Sequence, residues 1–154
     1  FRVLARNKSA VMDALVGASE LDVPQALVDG ETERMVEAAR AHRKQRGGKD
    51  AGKAPIPADL FKDQAERRVR LGLVVAELVR SNNLQAKPEQ LQAHIEEMSQ
   101  SYEKPAEVMR WYLSDRQRMA EVEAVVIESN VTQHVLGKAQ VTDKVLPFDE
   151  LMTA

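Results

Sequence analysis

The sequence predicts an all-α fold, on three observations. Apolar residues recur at helical spacing along most of the 154 residues, prolines stand where helical runs begin, and strand-like alternation is confined to one stretch near the C-terminus. Val3, Leu4, Val11, Leu15 and Ala18 mark a first helix over residues 2–18. Asp22-Val23-Pro24 opens a second, with Pro24 at the first helical position, where its missing N–H costs nothing. It runs to Arg46 and stops at Gly47-Gly48, its last turn basic through Arg43, Lys44 and Arg46. Residues 47–57, rich in Gly, Lys and Pro, read as a flexible hairpin tip.

A third helix begins near Pro57-Ala58-Asp59 and ends at Asn82-Asn83; its middle, Val69 to Val79, is apolar around most of its circumference. Lys87-Pro88-Glu89 opens a fourth, with Leu91, Ile95, Met98 and Tyr102 on one face. Lys104-Pro105 opens a short fifth carrying Val108, Met109, Trp111 and Tyr112. Ser114 or Asp115 caps a sixth, which carries Met119, Val122, Val126 and Ile127 towards Leu136. Val141 to Val145 alternates like a short extended strand, and Phe148 to Met152 makes a last turn.

The lengths bear on architecture. At 1.5 Å per residue the second, third and sixth helices would be roughly 34, 39 and 34 Å long, against a radius of gyration of about 15 Å for a compact chain of this size. Of 67 apolar residues, 20 are alanine, and aromatics make up only 4%. Long helices with little bulk to bury point to an elongated body with two projecting arms of antiparallel helices, residues 24–82 and 88–137. Formal charge is −3 over residues 1–39, +6 over 40–80 and −5 over 81–154. The first arm is therefore basic and the second acidic.

Composition narrows the chemistry. Without cysteine there is no disulfide scaffold, thiolate metal site or thiol nucleophile. No apolar run approaches the roughly 18 residues of a membrane span, and nothing at the N-terminus reads as a signal peptide. The chain opens on Phe1 in mid-pattern, as a single-domain fragment would. His42, His94 and His134 fall on different predicted helices. His94-Ile95-Glu96-Glu97 offers an acid/base or metal pair in name, but neighbours on one helix do not converge on a metal, and a solvated face is the simpler reading. No phosphate-binding loop, nucleophile elbow or zinc-helix motif is present. The basic stretch Arg40 to Arg70 could steer phosphates, yet only Phe61 interleaves it, and Asp63 and Glu66 interrupt it; nucleic acid is not the expected partner.

Met98, Tyr102, Val108, Met109, Trp111 and Tyr112 are more informative. Three of the six aromatics and two of the six methionines fall within fifteen residues. They are either the core of the second arm or an adaptable apolar surface, since methionine is flexible and polarisable, and exposed apolar patches mark partners. A single dedicated interface, for one folded partner or a second copy of the chain, is the alternative function.

Several motifs occur in the order seen in a known family. Asp22-Val23-Pro24 with Ala26-Leu27-Val28 resembles the D-V-P-x-A-L-[IV] opening of the C-terminal domain of bacterial trigger factor. Pro57-x-x-Leu60-Phe61-x-x-Gln64-Ala65-x-Arg67-Arg68-Val69 followed by Gly72-Leu73 resembles its P-x-x-L-F-x-x-Q-A-x-R-R-V…G-L segment. Glu96-Glu97-Met98 to Tyr102-Glu103-x-Pro105-x-Glu107-Val108 resembles its E-E-M-x-x-x-Y-E-x-P-x-E-V segment, and Lys138-Ala139-x-Val141-Thr142 with Glu150-Leu151-Met152 resembles its tail. The resemblance implies a cytoplasmic, ATP-independent chaperone domain without cofactors, cradling unfolded or nascent polypeptides for folding and export. Carried over by position, the implied client contacts are Met98, Tyr102, Val108 and Trp111. The first-arm tip, His42 to Ala54, is longer and more basic than the family pattern, so no client contact carries over there. The ribosome-docking signature G-F-R-x-G-x-x-P and the peptidyl-prolyl isomerase domain are absent from these residues. The chain is accordingly expected to be no enzyme and to meet the ribosome only through a missing N-terminal domain, and its exposed apolar surface could support a weak homodimer.

Overall fold

A computed structural model describes residues 2–46 and 55–152. The described residues form seven α-helices and one 3₁₀ turn: α1 (Arg2–Ala18), α2 (Gln25–Arg46), the 3₁₀ turn (Ala58–Phe61), α3 (Lys62–Asn82), α4 (Pro88–Ser99), α5 (Pro105–Leu113), α6 (Arg116–Lys138) and α7 (Phe148–Met152). No strand forms among them. Of the hairpin tip expected at 47–57, residues 47–54 lie outside the described residues, and so does the glycine stop of α2. None of the described helices is long and apolar enough to cross a membrane.

The residues group into two compact units: Ala14–Val75, and Phe1–Asp13 with Ala76–Ala154. In the first, α2 buries Val28, Thr32, Met35 and Val36, a stripe repeating every three to four residues. Val28 and Met35 meet Ala65 of α3, with Val23 and Phe61 packed at the sides. Ala65 is fully buried in this contact. Arginines stitch the unit. Arg68 donates to Glu31 at 2.9 Å, while Arg70 reaches the Ser19 and Leu21 carbonyls at 3.3 and 2.9 Å and Glu66 at 2.8 Å. The third helix opens with a 3₁₀ turn rather than directly, and Lys62 pairs with Asp59 across it at 2.7 Å.

In the second unit, α4, α5 and α6 enclose Ile95, Val122 and Val126, flanked by Ala86, Leu91, Met98, Met109, Tyr112 and Met119. Val131 and Thr132 are buried further along α6, where the Thr132 hydroxyl donates to the Glu128 carbonyl at 2.7 Å. Asn83 ends α3 in the left-handed region at φ 52°, and the Leu84 N–H returns to the Val79 carbonyl at 3.0 Å. This is a helix stop that asparagine tolerates well. Gln90 and Asn130 then form a reciprocal amide pair at 2.8 and 3.2 Å; Asn130 also donates to the Leu84 carbonyl, and the Gln90 oxygen accepts from the Lys87 N–H. One amide pair thus ties the start of α4 to α6 and to the preceding loop. Early in α1, Lys8 pairs with Glu128 of α6, and Arg6 donates to the Glu150 carbonyl of α7 at 3.1 Å.

Two local expectations change. The fourth helix ends at Ser99, so Tyr102 lies in the turn beyond it, its N–H bonded to the Ser99 carbonyl at 3.0 Å. Residues 141–147 are irregular rather than a strand; Val145 is 95% exposed, and alternation without a partner strand leaves backbone groups to water.

Candidate functional site

The α4–α5–α6 cluster sorts the sequence-predicted contacts into two kinds. Pro105 starts α5, and Val108, Met109 and Tyr112, spaced one and three residues apart, turn its half-buried face inward. Met109 and Tyr112 pack on the Ile95–Val122–Val126 core, as does Met98 from α4. Met98 is therefore a half-buried wall of the core, and Val108 is half-buried next to Met109 in sequence. Tyr102 and Trp111 point the other way, 57% and 53% exposed. The two halves of the ambiguity read from the sequence, core and surface, are both realised by different members of the group.

Trp111 is framed by polar neighbours. Tyr112 meets its ring edge-on, with centroids 5.0 Å apart and planes at 84°. The Arg118 guanidinium stacks over the indole at 3.8 Å from the ring centroid and donates to the Trp111 carbonyl. Arg118 is also 3.5 Å from the Asp115 carboxylate. Of the two candidate caps, Asp115 is the one that caps α6, accepting from the Gln117 and Arg118 N–H groups at 2.8 and 3.0 Å. The Arg118 N–H foremost, then that of Gln117 and the Arg118 charge, hold the Asp115 carboxyl below the usual carboxylate range.

Sequence reasoning missed two members of this corner. Leu113, next along α5, is 60% exposed. Arg118 follows Trp111 by seven residues across a helix break, and helical spacing gives no guide across a break. The signal that could have found it is the cap at Asp115, which turns the first residues of α6 back towards the end of α5.

Elsewhere, a cleft of about 540 Å³ lies along α2, lined by Glu33, Arg34, Glu37 and Arg40 with Gly30, Val36 and Ala58. Its charges alternate in sign, and it carries no exposed ring. Among the described residues, no group of three or more His, Asp or Glu side chains could hold a metal ion. The exposed corner at the end of α5 offers apolar surface beside the stacked Arg118 cation.

The comparisons decide the family. Residues 2–137 match the C-terminus of bacterial trigger factor protein. The chain belongs to that family. It is 71% identical over 151 residues to the trigger factor of Methylibium petroleiphilum and 72% identical over 152 to that of Polaromonas naphthalenivorans, covering 98% and 99% of this chain. It is 70% identical over 152 residues to the trigger factor of Variovorax paradoxus, covering 99% of this chain. The chain spans 35% of the length of each of these relatives. Membership places it in a chaperone family. Because the match is to the family's C-terminus, the isomerase domain of such proteins lies outside the stretch matched here.

Proposed function

We propose that this chain is the holding part of an ATP-independent chaperone, cradling unfolded or nascent polypeptides through dispersed apolar patches. The observation that carries this reading is the outward placement of Trp111 and Leu113 on α5 and of Tyr102 in the turn after α4, beside the cluster in which α4 and α6 bury Ile95, Val122 and Val126. Residues 24–82 and 88–137 act as two arms, and the client contacts are Met98, Tyr102, Val108 and Trp111. Each patch buries about 100–200 Å² of client, about 2.5–5 kcal/mol before ordering costs. One patch binds weakly, and several together give avidity with fast exchange. Release is dissociation, so no nucleotide is needed. The ribosome is met through another domain of the whole protein, and self-association is weak.

The test is suppression of aggregation by this chain, without ATP, of two unrelated unfolded proteins. Dose-dependent suppression of both supports holding. Tight 1:1 capture of one folded partner, with no suppression of either client, would replace it with a dedicated interface.

A further inference from the structure

Trp111 is the one tryptophan of the chain, and one face of its ring is already occupied. The guanidinium on it is fastened at its other contacts, to the Trp111 carbonyl and to the carboxylate that caps α6. A cation tied at three points within eight residues is a built feature of the corner. Met109 and Tyr112 of the same helix pack on the core beneath, while the indole stays 53% exposed.

Resting on the client-binding reading above, we propose that Arg118 is a positioning and charge-selecting residue: it holds Trp111 outward and reserves the part of the ring left exposed for neutral apolar or aromatic client side chains. Both faces of an indole carry negative potential, so an uncovered ring would welcome Lys or Arg. With a guanidinium on one face, a second cation on the other meets like charge across the ring, and the attraction is already spent. A neutral ring or aliphatic chain loses nothing.

Two readouts on the 154-residue chain test this, with Arg118→Gln and Arg118→Lys checked for unchanged helical signal. The first is acrylamide quenching of the lone tryptophan in the free protein. Arg118→Gln is expected to raise quenching, because the covered face opens. The second is affinity for two unstructured peptides, identical apart from a central Phe or Arg. Relative to the unsubstituted chain, Arg118→Gln should improve the Arg peptide against the Phe peptide by about two- to fivefold. Arg118→Lys keeps the charge without the planar stack, so it should retain the peptide bias while quenching still rises. Unchanged quenching in Arg118→Gln overturns the positioning role, and an unchanged peptide ratio overturns the selection. If the unsubstituted chain binds neither peptide, the client reading and the selection fall together, while quenching still decides positioning on its own.

Discussion

The two buried clusters of this molecule are built differently. In the Ala14–Val75 unit, valine, alanine and one methionine make the contact, and long-range arginine bonds fix its register: Arg68 to Glu31, and Arg70 to the Ser19 and Leu21 carbonyls. Around Ile95, three methionines from three helices and one tyrosine surround the buried aliphatics. The amide pair Gln90–Asn130 pins one end, whereas α5 at the other leans on Met98, Met109, Met119 and the Arg118 stack. The first cluster is small, branched and stitched. The second is unbranched and soft, because methionine chooses among many rotamers at little cost. The same unit that packs its helices through methionine also exposes Tyr102 and Trp111.

The comparison breaks hardest at the buried aliphatics. Ile95→Ala removes a side chain 1% exposed and should cost about 2–4 kcal/mol in urea unfolding. Met35→Ala, 9% exposed in the stitched cluster, should cost about 2–3 kcal/mol. If the two units are held independently, the double variant should lose the sum of the single losses. A subadditive loss would mean that the clusters share their stability.

Softness itself is testable with smaller energies. Replacing Met98, Met109 and Met119 together by leucine conserves volume and should change stability by less than about 1.5 kcal/mol at each site. The same change should slow hydrogen exchange along α5 and narrow the range of clients held. Equal exchange in both proteins would show that methionine is serving there as ordinary core.

Asp115 sharpens the contrast through pH. Its folded carboxyl is held below its ordinary value, so its contribution is present above the unfolded value and drains away as pH falls through the folded one. The Arg118 stack, which leans on that carboxylate, should loosen over the same acidic window, read as a shift in tryptophan emission. Asp115→Asn should remove this acid-side transition while leaving the neutral-pH helix content largely in place.

How much of this was legible in the sequence follows from what is local. The helix starts at Pro88 and Pro105 and the stop at Asn82-Asn83 are set by residues that act on their own backbone. Tyr102 was misplaced onto the fourth helix because its spacing from Met98 is helical, yet the chain turns at Gln100. The strand expected at Val141–Val145 failed for want of a partner, which alternation cannot report. Within the candidate site, the sequence singled out one cluster but could not sort it: Met98 and Trp111 are both apolar, and only packing separates a wall of the core from an exposed ring. Arg118 was invisible because its partner lies across a helix break.

That sorting sets up the smallest stability effect and the one that bears most on function. Trp111→Ser removes a ring that is 53% exposed and stacked on one cation, so its cost in stability should be about 1 kcal/mol or less. Met98→Ser puts a hydroxyl against Ile95 and its neighbours and should cost more, about 1–3 kcal/mol. If holding depends on the exposed rings, Trp111→Ser and Tyr102→Ser should each weaken suppression of client aggregation at nearly unchanged helicity and urea midpoint. Met98→Ser should weaken it only in step with lost stability. Should Met98→Ser instead abolish holding at full stability while the ring variants hold normally, the contact lies in the methionine seam. In that case the α4–α5–α6 cluster would have to open to receive a client, and the faster hydrogen exchange expected of α5 would be its signature.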